Sequence, residues 1–535
     1  MGMRGGRPTI SSVRGVVAAA HPLAAQAGAT LLQQGGNAFD AAAATAAALN
    51  VVEPYMSGLA GQGLATCWVA AEQRIKVLDY VPRVPKKFPL EKFKRREDLA
   101  RGPLAAGTPG NLAGWAELVR AHGKKPLGDA FAPAITLARD GFPLLDFAME
   151  EINQHGPAIQ RQPGYGAEFT RNYMKGASQV APGQVLKQPD LAQTFEHIAR
   201  DGAQYLYGGP LGQAIIRHLG EIGGYMTMAD LEEVTPRWKD PLAITYRGRT
   251  VHVPPPACEG FQFLLTLRIL EGFELGKLEP NGADHLDIVY RAIRLAAGVR
   301  INNNNPDPQK LAELLGDDHV NALRARVRDG KPITGPTEQW MEPPAGGEDP
   351  GHTTSFSIGD AEGNLICVTQ SLGSPFGAGV VVPNTGVCLN NFLYWTEVDP
   401  KSPNRTSGGA DLPICMSPSI STVDGKPVLA LGTPGSYGIL QTQAQAMVQY
   451  VDFGMALQDA IEAPRARLWD GRLVQVEGRI PSATVASLRA RGHDAQSFVD
   501  WTMKVGGMQA VAVDPATGVM TGAADPRRDS YAVGL

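Results

Sequence analysis

TTSFSIGDAEGNLICVTQS (353–371) is the stretch from which the rest of the chain can be read. Two runs rich in β-branched and apolar residues, TTSFSI (353–358) and LICVTQ (365–370), flank DAEGN (360–364). Asp, Gly and Asn suit a tight turn, so the stretch reads as a β-hairpin. Directly before it lies EPPAGGEDPGH (342–352), the end of a Pro/Gly-rich connector over 329–352 that lacks apolar periodicity and is expected to be exposed. Thr353 therefore stands where a loose segment meets a rigid strand, a place where a nick is tolerated. Cleavage between His352 and Thr353 would give Thr353 a free α-amine beside its own hydroxyl. Such an amine titrates near about 7.7–8.0, and pairing it with a threonine hydroxyl activates an otherwise weak nucleophile.

Downstream, GVVV (379–382) and TGVCLNN (385–391) continue the β pattern, and PSISTVDGKPVLALG (418–432) reads as a hairpin with Asp424-Gly425 in its turn. TPGSYG (433–438) then turns sharply at Gly435-Ser436 into a helix over 439–451. N–H groups at a helix start lack partners and lie at the positive end of its dipole, so this turn is a candidate oxyanion site. Ser371, near the end of the hairpin's second strand, returns across the sheet towards Thr353. A helix over 482–491 and a strand near 509–513 complete this half.

Upstream, residues 1–10 read as a tail, and a helix over 21–34 stops at Gly35-Gly36. Asn37 is placed to cap an alanine-rich helix over 38–52, whose small side chains allow close burial. The Gly-rich turn SGLAGQG (57–63) leads into a strand, LATCWVA (64–70), and KKFPLEKFKRRED (86–98) reads as charged surface. Helices are expected over 112–121, 127–139, 190–201, 211–219 and 284–299, and one strand over 244–253. Strands flanked by helices on both sides predict a layered α/β architecture.

Bulk properties remove several function classes. The 535 residues carry 49 basic and 53 acidic side chains, a net charge of −4, so nothing favours a nucleic-acid partner. The cysteines (Cys67, Cys258, Cys367, Cys388, Cys415) are odd in number and scattered, with no Cys/His spacing for zinc. Free thiols fit a reducing compartment, and a cytoplasmic location is expected. No apolar run is long enough to span a membrane. GVVAAAHPLAAQAGATLL (15–32) is broken by His21 and Pro22 and reads as part of the fold rather than an export signal. Neither a GxGxxG nor a GxxxxGK[ST] nucleotide loop occurs, and no GxSxG elbow is present. No metal or organic cofactor is expected.

The order of motifs along the chain resembles the gamma-glutamyltransferase family of N-terminal-nucleophile hydrolases. GGNAFDAAAA (35–44), VEPYMSGLAGQG (52–63), GTPGNLAGW (107–115), LARDGF (137–142), GGYMTMADL (223–231), YRGRTVHVPPPACEG (246–260) and HLDIVYRAIRLA (285–296) precede the hairpin. MSPSI (416–420), GTPGSYG (432–438), GGMQAV (506–511) and ADPRRD (524–529) follow it. The resemblance implies a four-layer αββα sandwich and autocatalytic maturation into a large subunit, 1–352, and a small subunit, 353–535, that stay associated. It implies that Thr353 is the nucleophile and that Ser371 takes the place of a second catalytic threonine. Gly435 and Ser436 match the glycine pair of the oxyanion hole, Ser436 keeping the N–H.

Departures from the family pattern concern the acyl side. Phe392 and Trp395 stand where glutamyl-binding members carry Gln and Asp, Gly373 replaces an Asn, and Ile414-Cys415 replaces a serine pair. The family's carboxylate-gripping arginine falls at Val81 in a gapless match, leaving Arg83, two residues on, to supply the charge. These changes imply a more apolar pocket, in which an unpaired ammonium or carboxylate would cost several kcal/mol. The expectation is an enzyme that cleaves a small-molecule amide and passes the acyl group to water or an amine, similar to a gamma-glutamyltransferase or glutathione hydrolase. Two alternatives stay open: an amidohydrolase of the same fold acting on a non-glutamyl amide, as oxamate or cephalosporin acylases do, and an inactive binding or scaffold protein.

Overall fold

The hairpin around 360–364 forms the middle of a seven-stranded antiparallel sheet in a computed structural model that describes residues 6–337, 352–402 and 404–535. Its strands run in the order Tyr531–Gly534, Gly15–Ala19, Thr354–Asp360, Leu365–Ser371, Gln62–Val69, Arg74–Asp79, Arg237–Lys239. A second seven-stranded sheet has the order Ile10–Ser12, Met520–Ala524, Gln509–Val513, Lys426–Gly432, Ser419–Val423, Arg249–Val253, Leu242–Tyr246. The chain before residue 352 and the chain after it contribute strands to both sheets.

Period-2 alternation assigns each strand two buried faces. Val16, Ala18, Leu365 and Cys367 of the first sheet meet Ile420, Ala430, Val511 and Met520 of the second, forming the layer between the sheets. Val17, Ala19, Ile366 and Val368 point the other way, into a core with the helices Pro22–Gln33 and Ala38–Val52. On the far side, Val251, Leu429, Leu431 and Ala510 pack on helices Phe261–Leu270, Ala283–Asn302 and Ile439–Met447. The result is the expected αββα sandwich.

Helix Ala38–Val52 is buried along its whole length. Asn37 and Asp40 close a capping box at its start, an arrangement of which the cap alone is worth about 1 kcal/mol. Gly28 faces this helix so closely that a Cβ would lie 2.3 Å from Thr45 Oγ1, so a glycine is required there.

Several expectations need correction. Residues 244–253 are not one strand: Leu242–Tyr246 and Arg249–Val253 pair around Arg247-Gly248, with φ of +49° and +75°. Alternation that continues through a two-residue turn hides the turn. Ile10, read as the last residue of the tail, opens an edge strand, Ile10–Ser12, against Met520–Ala524. Gly15–Ala19, Met520–Ala524 and Tyr531–Gly534 are further strands that the sequence reading did not assign. Within 86–98, Leu90, Phe93 and Arg96 are buried. The connector is not exposed throughout, since Thr337 and His352 are buried and Gly335 bridges to Gly471. Its portion over 338–351, with most of EPPAGGEDPGH, lies outside the described residues. No helix among the described residues is long and apolar enough to cross a membrane.

Candidate active site

Thr353 is buried, at the entry to the central strand Thr354–Asp360. Its carbonyl accepts a hydrogen bond from Arg528 Nη1 at 2.9 Å. Arg528 Nη2 is paired with Glu53 Oε1 at 2.7 Å, both side chains fully buried. Glu53 caps the C-terminus of helix Ala38–Val52, and its Oε2 accepts from Thr354 Oγ1 at 2.8 Å. A helix end and a C-terminal arginine thus fix the first two residues of the strand. Burial raises the Glu53 carboxyl above its ordinary value, against the opposing pull of Arg528.

Ser371 closes the neighbouring strand, opposite Gln62. Its hydroxyl donates to the His352 carbonyl at 2.7 Å. It also accepts from Gly373 N at 2.8 Å and from Thr353 Oγ1 at 3.4 Å. One hydroxyl therefore touches both sides of the 352–353 peptide bond. Gly373 is held at φ +101°, and a Cβ there would lie 2.3 Å from Asn391 Oδ1, which accepts from Ser374 N. Gly373 thus serves the turn that orients Ser371. Asn390, beside Asn391, ties the loop at Gly107 through bonds of 3.0 and 2.7 Å.

The turn at Gly435-Ser436 follows strand Lys426–Gly432, whose last residue packs on Ser355, two residues into the strand that follows Thr353. Gly435 has φ +122° and Ser436 +56°, an unusual left-handed setting for a residue with a side chain. The Gly435 carbonyl is held by Arg467 Nη1 at 2.8 Å and Gly438 N at 2.9 Å.

Phe392, Trp395 and Cys415 lie in one buried apolar cluster with Ile414, Met416 and Tyr437. The rings of Trp395 and Tyr437 are 5.6 Å apart, so the cluster abuts the turn that carries Ser436. Arg300 stacks 4.1 Å from the Tyr437 ring centre while paired with Glu259 at 3.0 Å. Arg83 is mostly exposed and forms an ion pair with Asp411 at 3.4 Å, a carboxylate that Arg237 also binds at 2.9 Å. It lines a 430 Å³ cleft with Thr108, Asp230 and Arg237.

Sequence reasoning passed over Arg96, which is buried beneath the 392–395 turn, donates from Nε to the Tyr394 carbonyl at 2.8 Å and lies over the Tyr394 ring. Burial draws its pKa down to about 9, which leaves it charged at neutral pH. The apolar residues Phe88, Leu90 and Phe93 interspersed in that charged run were the available signal. Glu53 and Arg528 stood inside quoted motifs, VEP and DPRRD, without an assigned role. Half-buried Asp529, beside them, is pushed up to about 6 by burial and by the charge of Glu53. Beside the 352–353 peptide bond, Glu151, His155 and His352 each place one donor atom within 4.8 Å of the others. Burial pushes the Glu151 carboxyl up, but the charges of His352, His155 and Arg528 outweigh it and hold the carboxyl below its ordinary value. Burial lowers His155 to about 4.

Two stacked antiparallel sheets between helical layers are the architecture of the N-terminal-nucleophile hydrolases. The sequence model of the family described as Gamma-glutamyltranspeptidase matches residues 24–535, and the chain belongs to that family. It is 33% identical to the Acylase ACY 1 proenzyme of Pseudomonas sp. (strain SE83), over 98% of this chain and 94% of that one. It is 29% identical to the Glutathione hydrolase proenzyme of Bacillus subtilis (strain 168), over 97% of this chain and 91% of that one. The cephalosporin acylase structure from Bacillus halodurans superposes with a TM-score of 0.91 at 29% identity, covering 100% of this chain and 98% of that one. The chain is thus a hydrolase or acyltransferase of the gamma-glutamyltransferase family.

Proposed function

We propose that the protein is made as a precursor, cuts itself between His352 and Thr353, and then cleaves a small-molecule amide through Thr353. The observation that carries this reading is the Ser371 hydroxyl, 2.7 Å from the His352 carbonyl and 3.4 Å from Thr353 Oγ1. In the precursor, Thr353 Oγ adds to the His352 carbonyl while Ser371 polarises it; the C–N bond breaks as the nitrogen takes the hydroxyl proton, leaving a free Thr353 amine and an ester, and water hydrolyses that ester to release the His352 carboxylate and restore the Thr353 hydroxyl. Because both halves share both sheets, the two subunits stay together after the cut.

In the mature enzyme the Thr353 amine takes the hydroxyl proton as Oγ adds to the substrate carbonyl. The backbone N–H groups of Gly435 and Ser436 receive the developing oxyanion. The amine returns the proton to the leaving group, and water or an acceptor amine then releases the acyl group from Oγ. His352 is the cleavage-site residue on the departing side.

The acyl group is apolar or flat rather than γ-glutamyl. Phe392, Trp395 and Cys415 form a buried apolar cluster beside the Ser436 turn, and Arg83 is already paired with Asp411. The resemblance to acylases supports the same reading. Comparing kcat/KM for a γ-glutamyl anilide with that for aryl- and alkyl-acyl anilides tests it. Preference for the apolar acyl groups is expected, and preference for the γ-glutamyl group would overturn it. Loss of all activity in Thr353→Ala is expected as well; an active variant would remove Thr353 from the mechanism.

A further inference from the structure

We propose that the uncut chain binds one divalent transition-metal ion of the zinc class through Glu151, His155 and His352. Helix Asp146–Gln160 presents Glu151 and His155 at i and i+4, on one face. His352 arrives from the scissile junction, far along the chain. Glu151 Oε1 lies 3.4 Å from His352 Nε2, and Glu151 Oε2 lies 3.6 Å from His155 Nε2. Ligands held at about 2.0–2.1 Å in a tetrahedron stand about 3.3 Å apart. Each imidazole thus lies close to that distance from one oxygen of the Glu151 carboxylate, and one donor atom from each residue lies within 4.8 Å of the others.

The site is also built in a dry place. The Glu151 side chain is 8% exposed and that of His155 10%. Glu151 Oε2 and His155 Nε2 are buried without a hydrogen-bond partner. A buried carboxylate oxygen left in that state is costly, and a cation between it and the imidazole removes the cost. Two imidazoles and one carboxylate are a donor set that zinc accepts, with a fourth position left for water. Bound there, the ion would tie the residue before the scissile bond to helix Asp146–Gln160. The i,i+4 pair alone gives no signal in sequence, because its third partner comes from the junction.

The test is titration of chelator-treated, desalted Thr353→Ala chain with Zn²⁺ by calorimetry, and with Co²⁺ by visible absorption. This chain stays whole whether or not the native protein processes itself, so the outcome does not depend on the proposed cleavage. One equivalent of Zn²⁺ is expected, with Co²⁺ giving the intense bands of a low-coordinate site. Adding Glu151→Gln, His155→Ala or His352→Gln should weaken Zn²⁺ binding at least about 100-fold. Glu151→Gln keeps size and hydrogen-bonding capacity, so it serves if a histidine variant fails to fold. Absence of saturable uptake, or equal uptake by the folded variants, would show an ion pair only and overturn the proposal.

Discussion

Replacing Arg528 by methionine should be among the most damaging single changes near Thr353. The methionine fills much of the same space but deletes the bonds to Thr353 O and to Glu53 Oε1, at 2.9 and 2.7 Å. Both partners of the ion pair are fully buried, so Glu53 is left without a counter-charge in a site water does not reach. Removing one partner of a buried pair costs about 3–5 kcal/mol. Arg83→Met is the control, since an exposed pair such as Arg83–Asp411 is worth about 0–1 kcal/mol. Urea unfolding followed by tryptophan fluorescence, in the Thr353→Ala background so that only uncut chain is present, measures both. The double variant Glu53→Gln with Arg528→Met should recover part of the loss, because the stranded charge is gone. The pH dependence follows as well. Burial already raises Glu53 above its ordinary value, and Arg528 opposes the rise; without Arg528 the folded-state pKa climbs further. A carboxyl that binds its proton more tightly when folded loses stability as pH rises from its unfolded value, about 4.3, towards its folded one. Arg528→Met should therefore weaken more steeply with pH than its parent over that window. A loss below about 1 kcal/mol, equal to the Arg83 control, would show that Arg528 does not hold the Glu53 charge in place.

Ser371→Ala removes the hydroxyl that bonds the His352 carbonyl, and conversion of the 56.8 kDa precursor on a gel should slow by about 10²-fold or more. Ser371→Thr should retain conversion. Gly373→Ala forces a side chain into a position at φ +101° and 2.3 Å from Asn391 Oδ1, so a loss of about 1–3 kcal/mol is expected in thermal or urea unfolding, and an unchanged midpoint would contradict the assignment. Asp529, raised to about 6, binds its proton more tightly in the folded protein, so its contribution to stability is present below about pH 4 and declines as pH rises to about 6. Asp529→Asn should flatten that part of the stability–pH profile, and an unaltered slope would count against it.

Local chemistry made much of this molecule readable. The hairpin at 353–371 carries its own turn residues, and Asn37 with Asp40 marks the start of helix Ala38–Val52 as the structure has it. The approach of Ser371 to Thr353 followed from hairpin geometry alone. What stayed hidden depends on distance in sequence or on burial of both faces. Gly15–Ala19 is buried on both sides of the central sheet, so GVVAA shows no alternation that would mark a strand. Glu53 and Arg528 are 475 positions apart, and nothing local to either announces the pair. Arg96 sits among exposed charges and differs from them only through its partners. Arg83 was expected near the acyl group on spacing, whereas Asp411, which no spacing could supply, engages its charge.

Mass spectrometry of the purified wild-type protein, incubated with a slowly turned-over amide and digested under acid quench, reads both the cut before Thr353 and the acyl transfer to it. A peptide that begins at Thr353 and carries the acyl mass on that residue is expected. An intact 56.8 kDa chain with the 352–353 bond uncut, or acyl mass on any other residue, would contradict it.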